Sequence, residues 1–180
     1  MTIRMHPPQY VLSAIVLLTV AATSMATPVS AGDELPKESV LPLSMAGKAV
    51  QTAVEACKKD GYRVSVSVVD RDGLLRSMAR ADGAGPHTID SSRKKAYTAA
   101  SLRRQTSELA DLIAKVPALE TLGNMNEHIL MLGGGLPIEI GGEVVGGIGV
   151  GGAPGAHLDD ACAQAGLDAI GAARKVPVAK

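Results

Sequence analysis

Phenylalanine and tryptophan are absent from this 180-residue chain, and tyrosine occurs three times. A core without large rings has to close with Val, Ile, Leu, Met and Ala at short spacing. A deep pocket walled by stacking aromatics, the usual setting of a buried planar cofactor, is excluded by the same absence. An excess of one charge is missing too, since 18 Lys and Arg face 18 Asp and Glu. Proteins that hold nucleic acid or an anionic membrane by electrostatics carry a basic excess, so neither partner is expected here. There is no Gly-x-Ser-x-Gly elbow, His-Glu-x-x-His helix or P-loop, which removes the familiar hydrolase and metalloprotease constellations.

Cysteine is scarce: Cys57 and Cys162 are the only two. Each falls on the apolar face of a predicted helix, where a thiol packs as a small hydrophobe, so free and buried is the favoured reading. A bridge is the alternative and requires the first and last helices to lie side by side. The pair lacks Cys-x-x-Cys spacing, which argues against a redox motif or a zinc site.

What is present begins with a leader. Arg4 precedes an apolar run from Tyr10 to Ala22, and small residues follow at Ser24-Met25-Ala26 and Val29-Ser30-Ala31. Residues 1–31 therefore read as a secretory signal peptide, with cleavage after Ala26 or, preferably, Ala31. The expectation is a periplasmic or secreted protein, free of the membrane once cleaved, with residues 32–180 forming one domain. About 150 residues are enough to bury a good core.

Helical spacing of Ala46, Val50, Ala53, Val54 and Cys57 predicts a helix over Ser44 to Asp60, stopped by Gly61. Val64, Val66 and Val68 alternate with Arg63, Ser65 and Ser67, and Asp70-Arg71-Asp72-Gly73 turns the chain into Leu74 to Ala81, which predicts two antiparallel strands. The loop DGAGP delivers His87 and Thr88 to a long helix ending near Arg104. Ile89, Ala96, Tyr97 and Ala100 are expected inside, and Arg93, Lys94, Lys95, Arg103 and Arg104 outside. Ser107 can cap a further helix to Val116, and Asp159-Asp160 places negative charge in the first turn of a final helix that runs to about Arg174, which suits its dipole.

Between them lies LGGGLPIEIGGEVVGGIGVGGAPG, Leu132 to Gly155, in which eleven glycines punctuate two aliphatic runs joined by Gly141-Gly142. This is a β-hairpin whose glycines admit a close backbone approach by a ligand, a second subunit or another part of the fold. Gly147, Gly149 and Gly152 satisfy G-x-G-x-x-G, but no second strand with an acidic residue follows, so a dinucleotide fold is not indicated. The order helix, hairpin, helices, hairpin, helix predicts an α+β sandwich with a mostly antiparallel sheet covered by helices.

Three segments, VSVVDRDGLLRSMARADGA, IDSSRKKAYTAA and GGGLPIEIGGEVVGGIGVGG, closed by DDACAQAGLDAI, resemble the GlcG/HbpS family of haem-binding-type proteins, which is also similar to the C-terminal domain of PduO. The resemblance implies a profilin-like sandwich, a homo-oligomer and, for some members, haem or iron binding linked to haem handling or redox sensing. Fold does not fix function, so the donors must be read from this chain.

A haem iron needs an axial donor, and its propionates need cations or helix N-termini. His87 is the leading candidate for the metal, between a glycine loop and a helix start. Thr88, Arg80, Arg93, Lys94, Gly147 and Gly149 complete the expected cofactor-binding set, with the glycines as the floor of a shallow or inter-subunit site. His128 and His157 are weaker candidates. The expected role is carriage, buffering or redox sensing of haem or a related tetrapyrrole. Two alternatives stand: a non-catalytic oligomeric accessory protein without cofactor, its glycine strip packing between subunits, and a small-molecule enzyme using His87 with Asp70, Asp72, Asp82 or Asp90.

Overall fold

The computed structural model describes Thr2, Leu35 and residues 37–172. The expected leader and its cleavage sites, Thr2 apart, lie outside the described residues, and the elements below all belong to the compact unit Lys37–Lys180. Among the described residues no helix is long and apolar enough to cross a membrane.

Helix α1 (Leu43–Lys59) buries Ala46, Ala49, Val50, Ala53, Val54 and Cys57 along one stripe, as its spacing predicts. Strands β1 (Ser65–Asp70) and β2 (Leu75–Arg80) form the first hairpin, followed by α2 (His87–Leu102) and α3 (Thr106–Lys115). A 3-10 helix (Pro117–Asn124) leads to the turn that carries His128. Strands β3 (Gly135–Ile140) and β4 (Glu143–Gly151) make the glycine-rich hairpin, and α4 (Ala156–Ala169) closes the fold. The four strands lie in the order β2-β1-β4-β3, every pairing antiparallel, so the expected α+β sandwich is the observed architecture.

The sheet has two unlike faces. Val66, Val68, Leu136, Ile138, Ile148 and Val150 point to α1 and α4 and form the main aliphatic core. On this side Cys57 and Cys162 are disulfide-bonded, with Cα atoms 5.5 Å apart. This corrects the expectation of free thiols. The helices approach closely enough because α4 presents Gly166, where a methyl group would sit 2.7 Å from the Ala49 carbonyl oxygen. Helical spacing identified the buried face of each cysteine correctly, but that face also brings the two sulfurs together.

The opposite face, Ser65, Ser67 and Val69 of β1 with Gly147, Gly149 and Gly151 of β4, receives α2. A methyl group at Gly147 would collide with the Ala96 carbonyl oxygen and one at Gly149 with that of Ser92, and at Gly149 it would also lie 2.5 Å from the Ala96 nitrogen. The glycine strip therefore accommodates the protein's own helix. Hydroxyl pairs fix the contact, Ser65 with Thr88 at 2.7 Å and Ser67 with Ser92 at 2.9 Å, all four residues being buried.

The inner stripe of α2 is thus Thr88, Ser92, Lys95, Ala96 and Ala99, while Ile89 and Tyr97 are only half-buried. Lys95, expected on the basic outer face, is 2% exposed. The N-terminal approach to α1 is held to the second hairpin by Glu143, which accepts from Ser39 (2.6 Å) and Arg71 (2.7 Å); the Ser39 hydroxyl first, and then Arg71, hold its carboxyl below the usual range.

Candidate functional site

Two openings lie along α2. The first is a cleft of about 360 Å³ lined by His87, Ser91 and Lys95 of α2, by Leu132, and by the segment Gly151 to Ala156 that leads into α4. His87 is exposed at the start of the helix, immediately after Gly85-Pro86, and its ring has no hydrogen-bond or ion-pair partner among the described residues. Leu132 is 48% exposed and adds an apolar wall. The ring nitrogens of His87 are available to a ligand because no described residue engages them.

Beneath the cleft sits a charge pair. Lys95 donates to Asp159 Oδ2 (2.8 Å) and to the Val150 carbonyl oxygen (2.9 Å), and Asp159 Oδ1 accepts from the Ala153 nitrogen (3.0 Å). Burial pushes the Asp159 carboxyl above its ordinary value, and Lys95 and the Ala153 amide pull it partly back. Next to it Asp160 accepts from the Gly134 nitrogen (2.6 Å); burial raises its carboxyl as well, against the pull of that amide and of Ser107. These two acids do more than face a helix dipole. They tie the end of β4, the 152–155 loop and the start of β3 to the first turn of α4, and so set the walls of the cleft.

The second opening is a cavity of about 150 Å³ between the β1–β2 turn (Asp72, Gly73, Leu74), α2 (Arg93, Lys94, Tyr97) and His128. The His128 ring meets that of Tyr97 with centroids 5.3 Å apart and planes inclined at 58°. Across Tyr97 a neighbouring hollow of about 160 Å³ is lined by Arg71, Ala100, Ser101 and Arg103, among others.

The expected site residues divide accordingly. His87 opens on the first cleft, with Gly151 and Gly152 rather than Gly147 and Gly149 in its lining. Gly147 and Gly149 are covered by α2 and cannot serve as a ligand floor. Thr88 is 1% exposed, its hydroxyl shared between Ser65 and the Gly85 carbonyl oxygen, so it shapes the helix start instead of meeting a ligand. Arg80 donates to the Ala84 carbonyl oxygen, bracing the loop before His87, and lines a separate open groove with Tyr62 and Arg63. Arg93 and Lys94 belong to the second opening.

His157, in the first turn of α4, is exposed and outside both linings. Lys95 and Asp159 were missed as site residues. The signal for Lys95 was its place in the stripe 88, 92, 95, 96, 99, which is the buried face of a helix. Among the described residues no group of three or more His, Cys, Asp or Glu is placed to hold a metal ion.

A family model described as haem degrading protein HbpS-like matches residues 41–168. The crystal structure of a double mutant of Streptomyces reticuli HbpS is 47% identical and superposes with a TM-score of 0.70, covering 79% of this chain and 96% of that one. The crystal structure of a PduOC:heme complex is 27% identical with a TM-score of 0.70, covering 75% and 98%. An uncharacterized 15.0 kDa protein of Citrobacter freundii, from the dhaT-dhaS intergenic region, is 38% identical over 125 residues, 68% of this chain and 87% of that protein.

Proposed function

The chain belongs to the HbpS-like family, and from that premise we propose that it binds haem or a closely related tetrapyrrole at the His87 cleft and serves to carry or buffer it. The observation that carries the reading is an exposed imidazole with no partner among the described residues, opening on a cleft with an apolar wall. Its 360 Å³ is at the lower end of small-molecule sites, enough for part of a planar ligand and not for its enclosure. A chain without Phe or Trp fits that shallow mode of binding better than a sealed pocket.

The residues present fit the group in a defined way. His87 would offer an imidazole nitrogen to the iron, Leu132 an apolar contact, and Ser91 a hydroxyl. Bound haem would supply a redox-active iron, on which redox sensing would rest, whereas carriage or buffering asks only for reversible binding. Bare iron lacks a ready set of three side-chain donors among the described residues, which favours the macrocycle. Export to the periplasm or beyond, on the leader at residues 1–31, and self-association into a homo-oligomer complete the proposal. A loose, one-sided site is the kind a second subunit could close.

The test is a hemin titration of the purified chain, followed in the Soret region, and repeated on His87→Ala and His128→Ala. The expected result is a saturable Soret shift that is lost in His87→Ala and kept in His128→Ala. The converse pattern would move the axial donor to the Tyr97 cavity, and unsaturable absorbance in all three would remove haem from the proposal.

A further inference from the structure

The cavity beside Tyr97 shares no lining residue with the His87 cleft, and haem binding leaves it without a use. We propose that it is a second, independent binding site, for a short-chain aliphatic carboxylate. Three observations lead there.

The first is unspent positive charge. Arg93 and Lys94 are both half-buried in the wall, and neither side chain has a hydrogen bond or an ion pair among the described residues. A guanidinium offers its donors as a planar fork that matches a carboxylate, and a neighbouring ammonium adds a point charge. Asp72 is the one carboxylate in the lining; it is exposed and bridged to neither cation.

Size and wall chemistry are the second. About 150 Å³ corresponds to roughly five water-sized groups. The Tyr97 ring and Leu74, 65% exposed, supply apolar surface beside the cations. An inorganic anion would leave that surface uncovered, and a long chain would not fit. A carboxylate on a body of two to four carbons satisfies both walls.

Third, the site is set in advance. Asp70 Oδ1 accepts from the backbone nitrogens of Asp72 (3.1 Å) and Leu74 (2.9 Å), which locks the turn. Gly73, at φ +79°, lets the turn lie on Tyr97; a methyl group there would be 2.5 Å from the ring. A fixed turn and ring mean that little ordering is needed on binding.

The test is calorimetric titration of the full chain with sodium butyrate at constant ionic strength, with inorganic phosphate as the comparison. Saturable binding with a Kd on the order of 1 mM or tighter is expected. It should weaken about tenfold or more in Arg93→Gln/Lys94→Gln, where two charge-assisted contacts go. Asp72→Asn should bind roughly threefold tighter, because a like charge leaves the rim. That gain is a result a merely structural Asp72 would not produce. Tyrosine emission should change on binding in the parent chain and not in Tyr97→Phe.

Absence of saturable heat, equal affinity in the double variant, weaker binding by Asp72→Asn, or phosphate binding as tightly as butyrate would each overturn the proposal. So would a double variant whose only change is in oligomeric state, which would make the cavity a subunit contact. Hemin titration of the same double variant is expected to match the parent, so the haem proposal and this one fail separately.

Discussion

The two openings on α2 are built from the same helix and settle their charge in opposite ways. Under the His87 cleft the one lysine is 2% exposed and fully engaged, by Asp159 and the Val150 carbonyl oxygen, so what faces outward is an imidazole and an apolar wall. Beside Tyr97 two cations stand in the wall with no protein acceptor among the described residues. The first arrangement suits a ligand that offers a metal to a nitrogen and a flat face to leucine; the second suits a small anion. Adjacent residues, Lys94 and Lys95, thus serve different ends because one helical step of about 100° carries the chain from open wall to buried stripe.

The largest test of this contrast is to break the buried pair. Asp159→Leu leaves Lys95 buried with a single carbonyl partner, and removal of one member of such a pair costs about 3–5 kcal/mol. Urea unfolding should show that loss, with hemin binding weakened as the 152–155 loop loses its anchor at Ala153 and butyrate binding in the Tyr97 cavity retained. Lys95→Met/Asp159→Leu should recover much of the stability, since no charge is then stranded. If the double variant is as unstable as the single one, packing rather than charge holds the loop, and the contrast drawn above is wrong.

A change where α2 is seated on the sheet should affect both openings. At Gly149 a methyl group meets the Ser92 carbonyl oxygen and, at 2.5 Å, the Ala96 nitrogen, so α2 must lift from the sheet. Overpacking of that kind costs about 1–3 kcal/mol, and Gly149→Ala is expected to weaken hemin and butyrate binding together. The control is Gly47 in α1, where a methyl group meets nothing within 4 Å. Gly47→Ala should stabilise the helix by about 0.5–1 kcal/mol and leave both ligands unaffected. A Gly149→Ala protein that loses only one ligand would show that the two openings do not depend on a common seating of α2.

Most of the fold could be read from the chain because it is written in local periodicity. Val64, Val66 and Val68 announce a strand, the 46, 50, 53, 54, 57 stripe a helix, and Gly141-Gly142 the turn of a hairpin. The disulfide was not readable that way. Cys57 and Cys162 are 105 residues apart, and only the packing of α1 on α4 brings them together.

The expected site residues divide between two openings for a related reason. His87, Arg93 and Lys94 are close in sequence, but six residues turn Arg93 about 120° around the helix from His87, and seven carry Lys94 about 10 Å along it. Glycine density correctly signalled a close approach. What approaches is α2, and nothing in a glycine records which neighbour it is making room for.

The smallest expected effect is in pH, and it sharpens the contrast further. Asp159, under the cleft, and its neighbour Asp160 titrate above 3.8 because burial disfavours their charged forms. The folded protein therefore holds these protons more firmly than the unfolded chain. The resulting stability is fully present below pH 3.8 and is lost as pH rises through the raised folded values. Asp160→Asn keeps an acceptor for the Gly134 amide but cannot titrate. Relative to it, the parent should lose stability as pH rises through that interval, measured by urea unfolding at stepped pH. A difference independent of pH would mean that Asp160 is not burdened by burial.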